Sequence, residues 1–201
     1  MAAILSLVPF VRMVGLNGSL ARGEATEKSD IDFWIAIKSG RLWSGRALVT
    51  VVAHMTGHHR YRNKIAGRIC LNTYQTEDHL AVGPKNQKNA KDYVNIQILY
   101  AAGNIADRFF KANLWVEKSG YRFKNRGYRG RISGYFALPI RWFFEAVYDL
   151  TFNDWGEKKF RHYQIKRILN DSRTQNSKAG QIYISDTELR FHPPKGKGVD
   201  F

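Results

Sequence analysis

Apolar residues recur along the chain with two different periods, and each period predicts a type of secondary structure. Runs rich in β-branched and aromatic residues predict strands at 8–16, 31–37 and 68–74. Apolar positions at helical spacing predict a helix over residues 42–55, and Asn17-Gly18-Ser19 marks the start of a shorter one. The order strand, helix, strand, helix, strand in the N-terminal third predicts an α/β (α+β) fold.

The rest of the chain predicts mostly helices. They are expected at residues 89–102, 105–116, 132–150 and 155–169, with the third entered or kinked near Pro139. A polar linker at 171–180 then leads to residues 182–191, which predict a short hairpin or an added strand. We therefore expect a core at residues 1–85, a helical region with a terminal strand or hairpin at 86–192, and a disordered tail at 193–201.

Positive charge is the unusual feature of the composition, since 32 Lys and Arg stand against 17 Asp and Glu, a formal net charge of +15. Such a balance attracts anions, among them nucleic acid, nucleotides and acidic membrane surfaces. The basic stretch 121–131 contains Tyr121, Phe123 and Tyr128, which is typical either of single-stranded nucleic-acid binding or of a solvated connector. The basic helix 155–169 suits RNA, an acidic membrane, or simply an outer position on the fold.

A single cysteine, Cys70, excludes an internal disulfide and a thiolate zinc framework, so a reducing, cytoplasmic location is expected. The apolar residues 1–10 lack the cationic start and the cleavage site of a signal peptide, and are expected to be folded structure. The longest apolar stretch, 135–150, contains charged residues and a proline and is too short to cross a bilayer. We expect no membrane insertion, and we expect this stretch in the core or at a dimer face.

Two acids at alternate positions open the second predicted strand. Alternate residues of a strand share one face, so Asp30 and Asp32 would project to the same side, where a cation between them relieves their repulsion. Magnesium prefers hard oxygen ligands and is usually held by one or two carboxylates together with substrate phosphates. Gly18 and Ser19 lie where the first strand meets a helix, so backbone N–H groups and a hydroxyl can approach a phosphate. Together these features predict phosphoryl or nucleotidyl transfer.

Gly18-Ser19, ten intervening residues and then Asp30-Ile31-Asp32-Phe33 resemble the signature of the polymerase-beta-type nucleotidyltransferase superfamily. GSLARG followed by SDID is especially similar to its minimal nucleotidyltransferases, and ICLN with the closing ELRFHP is similar to bacterial proteins that carry a nucleotidyltransferase domain. The resemblance implies a short mixed sheet flanked by helices, a nucleoside triphosphate donor (ATP is expected), two Mg²⁺ ions or Mn²⁺ in their place, and release of pyrophosphate. It also implies that Asp30 and Asp32 bind the metals, that Gly18 and Ser19 bind donor phosphates, and that Arg22 touches a phosphate or steadies the helix.

The superfamily usually places a third carboxylate on the next strand, where it helps to activate the acceptor. If Cys70, Asn72 and Tyr74 face the site, Asn72 stands at that position, and an amide can offer a metal an oxygen but cannot take a proton. General-base help is typically worth about 100- to 10,000-fold in rate. Glu77 and Asp78 are the nearest acids in sequence that could serve instead.

Two smaller expectations concern residues outside the proposed metal site. Asn17 and Leu20 depart from the usual residue types and are not expected to touch the metal chemistry. His54 and His58, one helical turn apart, are better explained as caps of a helix C-terminus than as zinc ligands.

The function expected from the sequence is that of a magnesium-dependent nucleotidyltransferase that transfers a nucleoside monophosphate to an unknown acceptor. The positive charge favours RNA or another anionic acceptor over a cationic aminoglycoside. One alternative is a catalytically weak or inactive module that binds nucleotide or nucleic acid. Another is the antitoxin-like nucleotidyltransferase half of a toxin–antitoxin pair.

Overall fold

The computed structural model describes residues 1–58, 66–125, 137–178 and 181–191, which build a six-stranded mixed sheet with helices on both faces. The strands are β1 (Val11–Asn17), β2 (Ile31–Ile37), β3 (Ile69–Thr76), β4 (Gln97–Ala101), β5 (Ile182–Ile184) and β6 (Glu188–Phe191). The helices are α1 (Ala2–Leu7), α2 (Gly18–Arg22), α3 (Leu42–Met55), α4 (Gln87–Tyr93), α5 (Ile105–Ala112), α6 (Trp115–Lys118), α7 (Ala137–Thr151), α8 (Asn153–Asn170) and α9 (Ser172–Gln175). None of these helices is both long and apolar enough to span a bilayer.

The strand order is β4-β1-β2-β3-β6-β5. Strand β1 is antiparallel to both β2 and β4, whereas β2 and β3 are parallel and are joined by α3. The hairpin of β5 and β6 adds to the free edge of β3 through antiparallel pairing of β6. Residues from the expected 1–85 core and from the later part of the chain therefore share one sheet. Residues 182–191, for which a short hairpin or an added strand is expected, form the hairpin of β5 and β6.

The side chains of β2 divide between the two faces of the sheet. Phe33 and Ile35 point to the α3 face, which we define as the face packed against α1, α3 and α8, whereas Trp34 points to the α5 face, packed against α4, α5 and α6. Trp34 lies with its ring centroid 4.9 Å from that of Phe109 in α5. Burial on both faces explains why β2 is a continuous apolar run, and why its bounds agree with those predicted from the sequence.

The expected helix at 89–102 is wrong, because this segment contains the short helix α4 and then strand β4. Ile98 is buried on the α5 face and Tyr100 on the α3 face, because the register with β1 shifts between Val14 and Gly15. Strand β4 satisfies its backbone groups by pairing with β1. Isoleucine and tyrosine suit that pleated position better than a helix interior.

The helix expected at 105–116 is interrupted at Asn113, which is fully buried. Its side-chain amide donates to the carbonyls of Leu80 at 2.8 Å and Phe109 at 2.9 Å, and its side-chain oxygen accepts from the amide of Val82 at 2.9 Å. The side chain thus ties the connector after β3 to the end of α5, and α6 begins two residues later.

The basic segment after α6 does not present its described aromatic residues as a stacking surface. Phe123 is buried on the α5 face with its ring 5.0 Å from that of Phe110, and Tyr121 is partly buried beside the same cluster. Tyr128 and the rest of the stretch to residue 131 lie outside the described residues, as does the expected tail at 193–201. Helix α8 packs on α3 through buried Gln164 and Ile168, which agrees with an outer helix.

Helix α7 turns charged residues inward and apolar residues outward. Arg141 and Glu145 are only 2% and 6% exposed, and the Glu145 carboxylate accepts two hydrogen bonds from Arg12, at 2.7 and 2.8 Å, and one from the amide of Phe10 at 2.8 Å. The outward residues are Ile140, Trp142, Phe143, Phe144, Val147 and Leu150, which are 40–86% exposed. The core placement expected for this stretch is therefore wrong for these side chains, because ion pairs dock the helix, and the dimer face stays a prediction.

Replacing Glu145 with glutamine is expected to lower the free energy of unfolding by about 3 kcal/mol near neutral pH, because Arg12 and Arg141 lose their shared carboxylate. Burial raises the pKa of Glu145, but the hydrogen bonds from Arg12 and Phe10 outweigh it and hold this pKa below its ordinary value. The stabilisation is therefore present above the unfolded pKa of about 4.3 and is lost as pH falls through the folded pKa.

Urea unfolding of the wild type and Glu145→Gln, near neutral pH and again below about pH 4, measures this effect. The difference between the two proteins should shrink at acid pH. Glu24→Gln removes an exposed partner of Arg22 and is expected to change the stability far less than Glu145→Gln does, because water screens an exposed ion pair. An equal loss in both variants near neutral pH would contradict the assignment.

Candidate active site

The two acids of the signature lie side by side at the start of β2. Asp32 has register partners on both neighbouring strands, Asn17 of β1 and Cys70 of β3. One carboxylate oxygen from each of Asp30 and Asp32 and the sulfur of Cys70 lie within 4.8 Å of one another. Strand pairing thus adds Cys70 to the two acids, and the three side chains lie close enough together to contact a single cation.

Asn72 holds the carboxylate of Asp32 in place. Its Nδ2 donates a hydrogen bond to Asp32 Oδ1 at 2.6 Å, and its Oδ1 accepts from the Cys70 thiol at 2.9 Å. A carboxylate can only accept, so the amide must turn its nitrogen towards Asp32. Asn72 therefore contacts the acid pair as the sequence predicts, and the contact is that of a donor that fixes Asp32.

Gly18 leaves no room for a side chain between β1 and Asp32. A side-chain carbon at this position would overlap Asp32 Oδ2 and lie only 2.8 Å from its Cγ. The backbone of Gly18 also has a φ of +71°, a left-handed conformation that glycine adopts at little cost. The backbone of Gly18, the first residue after β1, therefore lies directly against the Asp32 carboxylate, which also accepts a hydrogen bond from Asn72.

A bulge in β3 determines which of its side chains reach the site. Register with β2 shifts between Asp32 and Trp34, so that Cys70 pairs with Asp32 but Thr73 pairs with Trp34. The extra residue turns Tyr74 onto the α3 face, where it is fully buried. The expectation that Tyr74 faces the site together with Asn72 is therefore wrong.

Glu77 and Asp78 are also excluded as substitutes for a third carboxylate. The amide of Glu77 donates to the carbonyl of Ile37, the last residue of β2, at 2.8 Å. Asp32 lies five residues earlier on that strand, which places the two ends roughly 17 Å apart. Glu77 instead lies 3.8 Å from Arg12, at the opposite end of the sheet.

Asn17 is a residue that sequence reasoning set aside and the structure brings to the site. Its register partner is Asp32, and paired residues of neighbouring strands present their side chains on the same face. The Oδ1 atom of Asn17 is buried and has no hydrogen-bond donor within the described part of the chain. A buried acceptor beside a carboxylate pair is suited to a metal ion, a water molecule or a substrate N–H or O–H group.

The remaining two residues of the predicted phosphate cradle lie on α2. Ser19 is partly exposed, one residue beyond Gly18. Arg22 forms ion pairs with Glu24 at 2.7 Å and with Asp92 of α4 at 3.2 Å. The hydrogen bond to Glu24 is the largest of the interactions that raise the pKa of Arg22, and the charge of Asp32 also contributes, so this guanidinium lies within electrostatic reach of the acid pair.

The two candidate histidines of α3 contact backbone carbonyls. His54 Nδ1 lies 2.8 Å from the carbonyl oxygen of Thr50, and His58 Nδ1 lies 2.6 Å from that of Thr56. A carbonyl oxygen only accepts, so each ring nitrogen donates. Thr56 is the C-cap residue of α3 whereas Thr50 lies inside the helix, so only the contact of His58 is at the helix end. Within the described residues, the group of side chains suited to a metal is the cluster of Asp30, Asp32 and Cys70.

Comparison with known proteins agrees with this geometry. The sequence model of the nucleotidyltransferase domain family matches residues 2–102, half of the 201-residue chain. The chain belongs to this nucleotidyltransferase family. Searches of curated proteins and of solved structures gave no significant match. The matched span of the nucleotidyltransferase domain runs from α1 to the end of β4 and contains the acid pair, Asn72 and Gly18.

The donor set of the nucleotidyltransferase domain fits a divalent cation. Two carboxylates supply hard oxygen ligands and negative charge. On the same face Asn17 adds a buried oxygen that receives no hydrogen bond from the described residues. Cys70 is a soft ligand that suits magnesium poorly, and its thiol is engaged with Asn72. Asp30 and Asp32 are therefore the residues that would hold a divalent cation in this domain.

The Gly18→Ala variant is expected to lose binding of metal and nucleotide by at least tenfold, because the new methyl group displaces the Asp32 carboxylate. Gly23→Ala is the matched control, since Gly23 has a φ of +74° at the other end of α2 but nothing within 4 Å of its methyl position. Both variants should lose roughly 1–2 kcal/mol of stability from backbone strain. Calorimetric titration with Mg²⁺ and ATP measures the binding, and equal losses in the two variants would rule out the steric explanation.

Proposed function

We propose that this nucleotidyltransferase domain transfers a nucleoside monophosphate from a nucleoside triphosphate, with ATP the expected donor, to an acceptor hydroxyl or phosphate. The observation that carries the proposal is the contact between the Gly18 backbone and the Asp32 carboxylate. It supports a site in which the glycine-serine turn and the acid pair act on the same triphosphate. The family to which the chain belongs supports nucleotidyl transfer as the general chemistry.

In this proposal Asp30 and Asp32 hold two Mg²⁺ ions, which, when bound, neutralise phosphate charge and orient the displacement. Gly18 and Ser19 contact the donor phosphates through backbone N–H groups and the Ser19 hydroxyl, because glycine permits the close approach. Arg22 contributes positive charge beside them, held in position by Glu24 and Asp92. The acceptor oxygen forms a bond to the α-phosphorus as the bond from that phosphorus to the bridging oxygen breaks, which releases pyrophosphate.

Proton removal from the acceptor is the step for which this site is least equipped. The amide of Asn72 cannot take a proton, and Glu77 lies at the far end of the sheet. The proton of the acceptor therefore passes to water in this proposal, and turnover is slow. The same observation favours the second candidate, a domain that binds nucleotide or nucleic acid with little or no catalysis.

A group of positive side chains that includes Arg22, which lies near the acid pair, supports an anionic acceptor such as RNA. Glu24 lies within electrostatic reach of Arg22, Lys91 and Lys124, which are the charges that lower its pKa after the hydrogen bond from Arg22. These cations lie on α2, on α4 and in the connector after α6, and Arg22 is also within electrostatic reach of Asp32. A negatively charged acceptor is attracted to this region, whereas a cationic one is repelled.

Binding of the four ribonucleoside triphosphates with Mg²⁺ is the first test of the proposal, measured by calorimetry. We expect ATP to bind in a metal-dependent way and the Asp30→Ala/Asp32→Ala double variant to lose this binding. Glu27→Ala/Asp107→Ala removes two exposed acids and the same charge, and is expected to bind as the wild type does. Absence of binding of any triphosphate by the folded wild type would overturn the proposal.

The Asn72→Asp variant separates the two candidate functions once an acceptor is found. We expect turnover to rise by about 100-fold or more at saturating Mg²⁺, because the variant supplies a proton acceptor. Asn72→Ala is the control, since it removes the hydrogen bond to Asp32 without adding a base, and it should lower nucleotide binding. A loss of turnover in Asn72→Asp would show instead that the donor contact to Asp32 is what the site requires.

A further inference from the structure

A cavity of about 210 Å³ lies between α3 and α8, on the α3 face and therefore on the other side of the sheet from the acid pair. Its walls are largely apolar, formed by side chains such as Val51, Phe160 and Ile168. Its charged lining residues are Arg46 from α3, Arg167 from α8 and Asp171, the residue that follows α8. A largely apolar cavity lined by two arginines and one aspartate needs an explanation that the proposed transfer site does not provide.

Arg46 is buried, with 7% of its surface exposed. Its Nη1 donates to Gln164 Oε1, and its guanidinium lies 5.2 Å from the ring centroid of Phe191 and 5.9 Å from that of Tyr74. Its Nε is buried and has no acceptor among the described residues. These partners are an amide and two aromatic rings, so none of them carries the negative charge that would balance the guanidinium.

The other largely buried arginines in the described part of the chain are paired. Arg12 and Arg141 share Glu145, and Arg190 lies 3.4 Å from Glu188. By contrast, burial lowers the pKa of Arg46, and Arg167 lowers it further through repulsion. A buried charge is costly unless it is paired. Arg46 is therefore the buried cation of this region whose counter-ion is missing from the described chain.

We propose that the cavity binds a small organic oxyanion, a carboxylate or a phosphate monoester with an apolar body. The oxyanion would contact Arg46 and Arg167, because guanidinium groups match the geometry of carboxylate and phosphate oxygens. The body of the ligand would lie against Val51, Phe160 and Ile168. A cavity of about 150 Å³ admits a benzene ring, so this larger one accommodates a single ring with its anionic group. This site does not depend on the proposed nucleotidyl transfer.

The test is a calorimetric titration of the full chain with benzoate and with phenyl phosphate, at physiological salt. Benzamide is the uncharged control of the same shape, and inorganic phosphate tests the oxyanion without an apolar body. We expect one saturable site for benzoate or phenyl phosphate, with at least tenfold weaker binding of benzamide and of inorganic phosphate. No saturable binding of either aromatic anion at millimolar concentration would overturn the proposal.

Three variants locate the binding. Arg167→Gln removes an exposed cation that lines the cavity and should weaken binding at least tenfold, whereas Lys166→Gln removes the neighbouring exposed charge and should leave it unchanged. Arg46→Gln should abolish anion binding. If this variant does not fold, the comparison of Arg167→Gln with Lys166→Gln tests the proposal. If Arg167→Gln and Lys166→Gln weaken anion binding equally, the binding reflects only general attraction to a chain with a net charge of +15, and the proposal is overturned.

The Asp30→Ala/Asp32→Ala variant distinguishes this cavity from the transfer site. It should bind benzoate or phenyl phosphate as the wild type does, because its substitutions lie on the opposite face of the sheet. Loss of anion binding in this variant would place the ligand at the acid pair and overturn the proposal, whatever happens to nucleotide binding.

Discussion

The approach of β1 to Asp32 is the contact on which the candidate site depends. Antiparallel pairing of β1 with β2 places Asn17 opposite Asp32, and the next residue, Gly18, meets the carboxylate without a side chain between them. Parallel pairing of β2 with β3 brings Cys70 and Asn72 to the other side, where Asn72 donates to the same carboxylate. Residues of β1, β2 and β3 thus hold the Asp32 carboxylate in one position, and a metal site requires ligands that are held in this way.

The two faces of the sheet carry different chemistry. The α5 face continues from Trp34 towards the acid pair, so the aromatic packing of α5 supports the strand that holds Asp32. The α3 face is covered by α3 and α8, and between these helices lies the cavity with Arg46. Because the sheet separates the two regions, a ligand in one can bind without contact with the other.

Ion pairs, and not only apolar packing, attach the C-terminal helices to this core. Glu145 joins α7 to β1 through Arg12, and Glu157 of α8 accepts hydrogen bonds from the amides of Trp43 and Ser44 at 2.7 and 2.9 Å. Those amides belong to the first turn of α3, whose N–H groups lack partners within the helix. Two acids of this basic chain, Glu145 and Glu157, are therefore placed where buried donors need them.

The sequence alone determined the local elements and the acid pair. Continuous apolar runs and helical spacing fixed β2 and α3 to the residue, and the spacing of Gly18-Ser19 from Asp30 and Asp32 pointed to the family. Tertiary structure decided the rest. The pairing register of the strands, including the bulge in β3, places Cys70 and Asn17 at the site and turns Tyr74 away from it. The sequence shows which side chains alternate along one strand, but it does not show which residues of neighbouring strands pair. Likewise, β4 is a strand because it pairs with the edge of β1. Helix α7 turns its charged residues inward because Glu145 binds Arg12 on β1. In both cases the partner lies far away in the sequence.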